Sequence, residues 1–151
     1  MFVHKLPYRS LLLATTVALA ACSGGTGNIP QNPPGTLPPC NPGTQAQLSQ
    51  PISGAQGVGT ATGFVQVVVN AGSDVLNGGW NLILLDAQGN TISGGILSPA
   101  SGYGGTHPYA TNFWYNATIP TLGSGTIYKA YINKTSSSCQ PAFVGSFATG
   151  T

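Results

Sequence analysis

A chain of 151 residues in which only 4% are charged, with 22 glycines and 12 prolines, has room for one main domain and little ionic chemistry. Its formal charge of +2 comes from Lys5 and Arg9; beyond residue 22, Lys129 and Lys134 balance Asp74 and Asp86, and neither arginine nor glutamate occurs. That balance excludes the basic footprint of a nucleic-acid binder, so no nucleic acid is expected as a partner.

Lys5 and Arg9 precede an uncharged, mostly apolar run from Leu11 to Ala21, which together read as the n-region and h-region of a secretory signal over residues 1–21. As a helix this run reaches about 16 Å against a hydrocarbon core of about 30 Å, too short for a retained span. It closes on Leu19-Ala20-Ala21-Cys22. These residues resemble the lipobox of bacterial lipoproteins, which implies cleavage before Cys22, a diacylglycerol on its sulfur and acylation of the new amino group. The alternative is an ordinary signal whose cleavage site adjoins a cysteine. At about 0.8 kcal/mol per buried methylene, one acyl chain holds marginally and two or three hold firmly. Ser23, where an aspartate would retain the protein, implies sorting to the outer membrane in a Gram-negative envelope. Membrane lipid is thus the first expected partner.

Residues 22–44 combine the lipidated cysteine with a stretch too rich in proline, glycine and small polar residues to pack a core. They read as a tether, flexible at its glycine-rich start and extended at its Pro-Pro steps. With Cys22 acylated, Cys40 and Cys139 remain as a pair that an oxidising periplasm would bond; two free buried thiols are the alternative.

Residues 45–151 form one domain. Short β-branched or aromatic segments alternate with glycine, asparagine, serine and proline, and no helical period persists, which predicts an all-β domain. The predicted strands cover 46–50, 62–69, 80–85, 90–97, 112–119, 126–133 and 142–149, a number that suits a sandwich. Trp80, Leu82 and Leu84 share a core face. Phe113, Tyr115, Ala117 and Ile119 share another, with Trp114 opposite. Tyr128, Ala130 and Ile132 oppose Ile127, Lys129 and Tyr131, and Phe143, Gly145 and Phe147 alternate on the last strand. Asp86-Ala87-Gln88-Gly89-Asn90 supplies the residues of a hairpin turn.

The segments Pro51–Val58, Asp86–Asn90, Ile119–Tyr128 and Gly145–Thr149 together look like a bacterial Ig-like domain of the type found in S-layer proteins. The resemblance implies an Ig-like or fibronectin III-like antiparallel sandwich, with Tyr128 as its tyrosine corner. Some such domains bind calcium through acidic clusters; with only Asp74 and Asp86 available, no calcium site is expected.

Catalytic chemistry is sparse. His107 is the sole histidine after the signal and lacks a nucleophile motif, so an envelope hydrolase finds no support and no catalytic residue is assigned. Asp74 and Asp86 read as turn residues rather than a glycosidic pair. Cys40, Cys139 and His107 lie in no ligand-spaced cluster, and neither metal nor cofactor is expected. Binding is suggested only by Tyr103, His107, Tyr109, Phe113 and Trp114, which crowd one loop and the strand after it; aromatic faces stack on sugars or anchor proteins. Trp114, Tyr109 and Tyr103 are the candidate contacts. The expected function is a non-catalytic structural, adhesive or assembly module at the cell envelope, with an envelope protein or glycan as partner; the alternative is a carbohydrate-binding module.

Overall fold

The computed structural model describes residues 37–42, 46–102 and 105–151. The signal over 1–21, Cys22, the tether up to residue 36 and Tyr103 lie outside the described residues. Each apolar run becomes a strand: β1 (Ala46–Gln50), β2 (Phe64–Val69), β3 (Trp80–Leu85), β4 (Thr91–Ile96), β5 (Ser98–Pro99), β6 (Phe113–Thr118), β7 (Ile127–Lys134) and β8 (Ala142–Ala148). Seven of the eight coincide with the predicted segments to within two residues at either end. The eighth, β5, is two residues long and carries no periodicity to detect.

The strands form two antiparallel sheets, β1-β2-β6-β5 and β4-β3-β7-β8. Such an order is that of an immunoglobulin-type sandwich, with β4 added beside β3. Leu48, Val65, Val67, Val69, Tyr115 and Ala117 of the first sheet face Trp80, Leu82, Leu84, Tyr128, Ala130 and Ile132 of the second, all of them buried in one core. The apolar area withdrawn there is the main stabilising term.

Tyr128 sits where the chain enters β7, and its Oη accepts a hydrogen bond of 2.8 Å from the Gly123 N–H. Thr149 supports the same corner: its Oγ1 donates to Gly123 O at 2.6 Å and accepts from Thr126 N at 2.9 Å. Replacing Tyr128 by phenylalanine keeps the ring in the core and deletes one bond. The expected cost is about 1 kcal/mol, read as a lower urea midpoint at unchanged slope.

Two core assignments from alternation are corrected. Along the β7–β8 pair, Ala130 faces Gly145 but Tyr131 faces Phe143, so Val144 is an extra residue and β8 bulges there. The bulge inverts the parity: Val144 and Phe147 are buried, whereas Phe143 turns outward at 57% exposure. Gly145 permits this, since its φ is +153° and a Cβ there would stand 2.8 Å from Leu48 Cβ. Phe113, also expected inside, is 39% exposed because it opens β6 at the rim, on the last rung of the β2–β6 pair.

Cys40 and Cys139 are joined by a disulfide. The segment around Cys40 docks beside the start of β8: Cys40 N–H donates to Gln140 O at 2.6 Å and Gln140 N–H to Pro38 O at 2.8 Å. Pro42 O accepts from Asp74 N at 2.8 Å and from the Ser73 hydroxyl. Residues 37–42 of the sequence assigned to the tether are thus held against the domain. The free edge of β8 is covered in turn by residues 54–58, through Gly54 N to Ser146 O at 2.7 Å and Val58 N to Ala148 O at 3.0 Å.

Candidate functional site

The aromatic cluster lies on the outer face of the first sheet. Val65, Val67 and Val69 point into the core, so Gln66 and Val68 point away from it, yet they are only 1% and 0% exposed. Their cover is the long β5–β6 connection, which returns across the sheet. Ser49 Oγ donates to Gln66 Oε1 at 3.3 Å and accepts from Thr106 N at 3.2 Å. Gln66 Nε2 donates to Asn116 Oδ1 at 3.0 Å and to Gly102 O at 3.1 Å. This network meets the demand that buried amides and hydroxyls be paired.

Trp114 belongs to that cover. It is half-buried, its Nε1–H donates to Thr106 O at 3.3 Å, and the His107 ring meets it edge-on with centroids 4.8 Å apart. The indole expected as an open contact is therefore partly closed over by its own loop. Tyr109 is fixed by Asn112, whose Oδ1 accepts from Tyr109 N at 3.0 Å and whose Nδ2 donates to Tyr109 O at 2.6 Å. Burial pushes the Tyr109 phenol above its ordinary value. His107 meets Trp114, Tyr109 instead lines a cleft with Asn70 and Gly72, and Phe113 stands at the rim.

Gly105 sets how closely the loop approaches. A Cβ there would fall 1.9 Å from Ser49 Oγ. Gly105→Ala is expected to lift the loop, cost about 1–3 kcal/mol as overpacking does, and shift Trp114 emission to the red; denaturant titration and fluorescence read both.

The two carboxylates lie apart, each tied into its own turn. Asp74 opens a single 3-10 turn (Asp74–Asn77), where it accepts from Lys134 Nζ and from Asn77 Nδ2 at 2.8 Å. Asp86 ties the β3–β4 hairpin, accepting from Gln88 N at 2.9 Å and from Asn90 N and Nδ2 at 2.8 and 2.9 Å. Lys134 faces Trp80 at one end of the β3–β7 pair and Lys129 faces Leu85 at the other. The two acids are thus about 17 Å apart along the strands, beyond the span of roughly 5–9.5 Å of glycosidase pairs. Among the described residues no three His, Cys, Asp or Glu side chains gather into a metal-holding group.

Hydrogen bonds from Lys134 and then Asn77 lower the Asp74 pKa below 3.8, and those from Asn90 do the same for Asp86. Carboxylates depressed in the folded state add stability that is complete above their unfolded value and lost as pH falls through the folded one. Thermal melts from roughly pH 5 to pH 2 are expected to show Tm falling with acid, and less steeply in Asp74→Asn. The contribution is small, because both groups keep access to screening solvent.

A second surface was not anticipated. The outer side of β4-β3-β7-β8 carries Ile83, Leu85 and Tyr131 at its centre and Ile96, Ile127 and Phe143 around them, the last three more than half exposed. Tyr131 and Phe143 pack edge-on with centroids 5.3 Å apart. Two clefts of about 470 and 400 Å³ share Leu85 and Tyr131 as walls and run from the Asp86 hairpin to Gln140 and Pro141. The signal was present in the sequence: Leu82-Ile83-Leu84-Leu85 is apolar on both faces, which a strand with one solvated side is not.

No protein-family model matches this chain, and no curated protein and no solved structure is significantly similar to it. The functional reading consequently stands on the residues themselves.

Proposed function

We propose that this protein is a lipid-anchored component of the bacterial cell envelope, held through Cys22 at the outer membrane, whose Ig-like sandwich serves as a non-catalytic structural, adhesive or assembly module. One observation carries the reading: the disulfide joins Cys40 to Cys139, which leaves Cys22, in its lipobox-like setting, as the one remaining cysteine of the chain. A sandwich whose two carboxylates are spent on turns and one ion pair supports a role exercised by contact. The segments Pro51–Val58, Asp86–Asn90, Ile119–Tyr128 and Gly145–Thr149, which look like those of S-layer-type Ig-like domains, support the same reading.

Mass spectrometry of the protein recovered from membranes tests this. Acylation is expected as an added diacylglycerol and fatty acyl mass on an amino-terminal Cys22, with Cys22→Ser released into the soluble fraction. An unmodified mature chain beginning elsewhere would remove the anchor.

A further inference from the structure

We infer that the outer face of the β4-β3-β7-β8 sheet lies against the lipid surface, its apolar side chains entering the headgroup and acyl boundary. The inference rests on the anchoring proposed above and specifies which face of the domain the anchor presents to the bilayer.

At one end of the face Asn81 lies opposite Asn133, but around Ile83, Leu85, Tyr131 and Phe143 it is apolar where a solvated sheet would be polar. Ile96, Ile127 and Phe143 are 67%, 56% and 57% exposed, and the half-buried Ile83, Leu85 and Tyr131 connect them. Contiguous exposed apolar surface of this kind marks a contact surface rather than ordinary exposure.

The chain enters the domain at the margin of this face. Gln140, which lines one of its two clefts, exchanges backbone hydrogen bonds with Pro38 and Cys40. Only residues 23–36 separate Cys22 from Leu37. Fully extended, that stretch spans at most about 50 Å, and a flexible chain of the same length averages about 22 Å. An acylated Cys22 would thus hold the face at high effective concentration beside the bilayer, where even a weak contact is populated.

Charge favours lipid over a charged protein partner. Among the residues of β3, β7 and β8 that point outward, Lys129 alone is charged; the one carboxylate lining the face's clefts is Asp86, at its hairpin margin and held by Gln88 and Asn90. Lysine extends its stem along apolar surface and keeps its ammonium at anionic headgroups, and aromatic side chains such as Tyr131 and Phe143 favour the same interfacial depth.

The test uses the full acylated protein in phosphatidylethanolamine–phosphatidylglycerol vesicles made with plain or brominated acyl chains. Phe143→Trp and, separately, Ile127→Trp each place an indole on the face. The added emission is expected to be blue-shifted and lost in brominated vesicles, while emission from the native Trp80 and Trp114 is retained. Co-floating protein whose added indole ignores bromine overturns the contact and leaves the anchor intact. Blue-shifted emission insensitive to bromine, together with a doubled mass, assigns the face to a second copy and also overturns it. A chain that fails to co-float and carries no acyl mass at Cys22 removes the anchor and the contact together.

Discussion

Replacing Cys40 and Cys139 together by alanine is expected to be the most damaging change to the stability of the domain. The bond closes a loop of 99 residues. Restricting the unfolded chain over such a loop is worth about 4.7 kcal/mol in the loop-entropy account. Domains of this size are stable by only about 5–15 kcal/mol, so the loss consumes a third or more of the total. At about 4–8 °C per kcal/mol, Tm should fall by roughly 20 °C or more. Comparing melts of oxidised wild type, reduced wild type and the double variant checks this, and the last two should coincide. A drop below about 1 kcal/mol would show that the unfolded chain is already compact, so that the bond restricts little. The backbone bonds of Pro38, Cys40 and Pro42 survive the substitution, so the amino-terminal segment loses its covalent tie before its docking site.

Trp80→Ala is expected to cost about 3–5 kcal/mol, the range for emptying the site of a large aromatic side chain. Trp80 is 1% exposed, opens β3, and belongs to the single core shared by both sheets. Leu82, the next position on its face, lies on the same strand and is equally buried. Trp114→Ala is the informative contrast. Its indole is half-buried under a loop, and the loss should be smaller, with unfolding still a single cooperative transition. Denaturant titrations of both variants rank them; equal losses would mean that the covering loop packs as firmly as the core.

Those two tryptophans mark how far the sequence could be read. Trp80 sits in an alternating segment whose partners on the same face are leucines, and that local pattern places it inside with no knowledge of the rest of the chain. Trp114 also alternates correctly, opposite Tyr115, and does point away from the core. What covers it is a loop whose return path is decided by Ser49, 57 residues from Thr106, and by Gln66, 36 residues from Gly102. Nothing in the spacing of Tyr103 to Trp114 announces that closure. The same holds for Phe143, whose outward turn follows from one extra residue in a register set by β7.

The sequence by itself determined the all-β class, seven of the eight strands, the Asp86 hairpin and the tyrosine at the β6–β7 corner; for Cys40 and Cys139 it left a bond or two buried thiols, and the fold decided for the bond. The former depend on period-two alternation and turn chemistry, which act over a few residues. Only the tertiary structure decided that a loop closes over Trp114, that a bulge turns Phe143 outward, and that Ile83, Tyr131 and Phe143 come side by side on one outer face. Each is set by the register and packing of segments distant along the chain, and a residue's neighbours in sequence carry no record of which distant backbone will lie beside it.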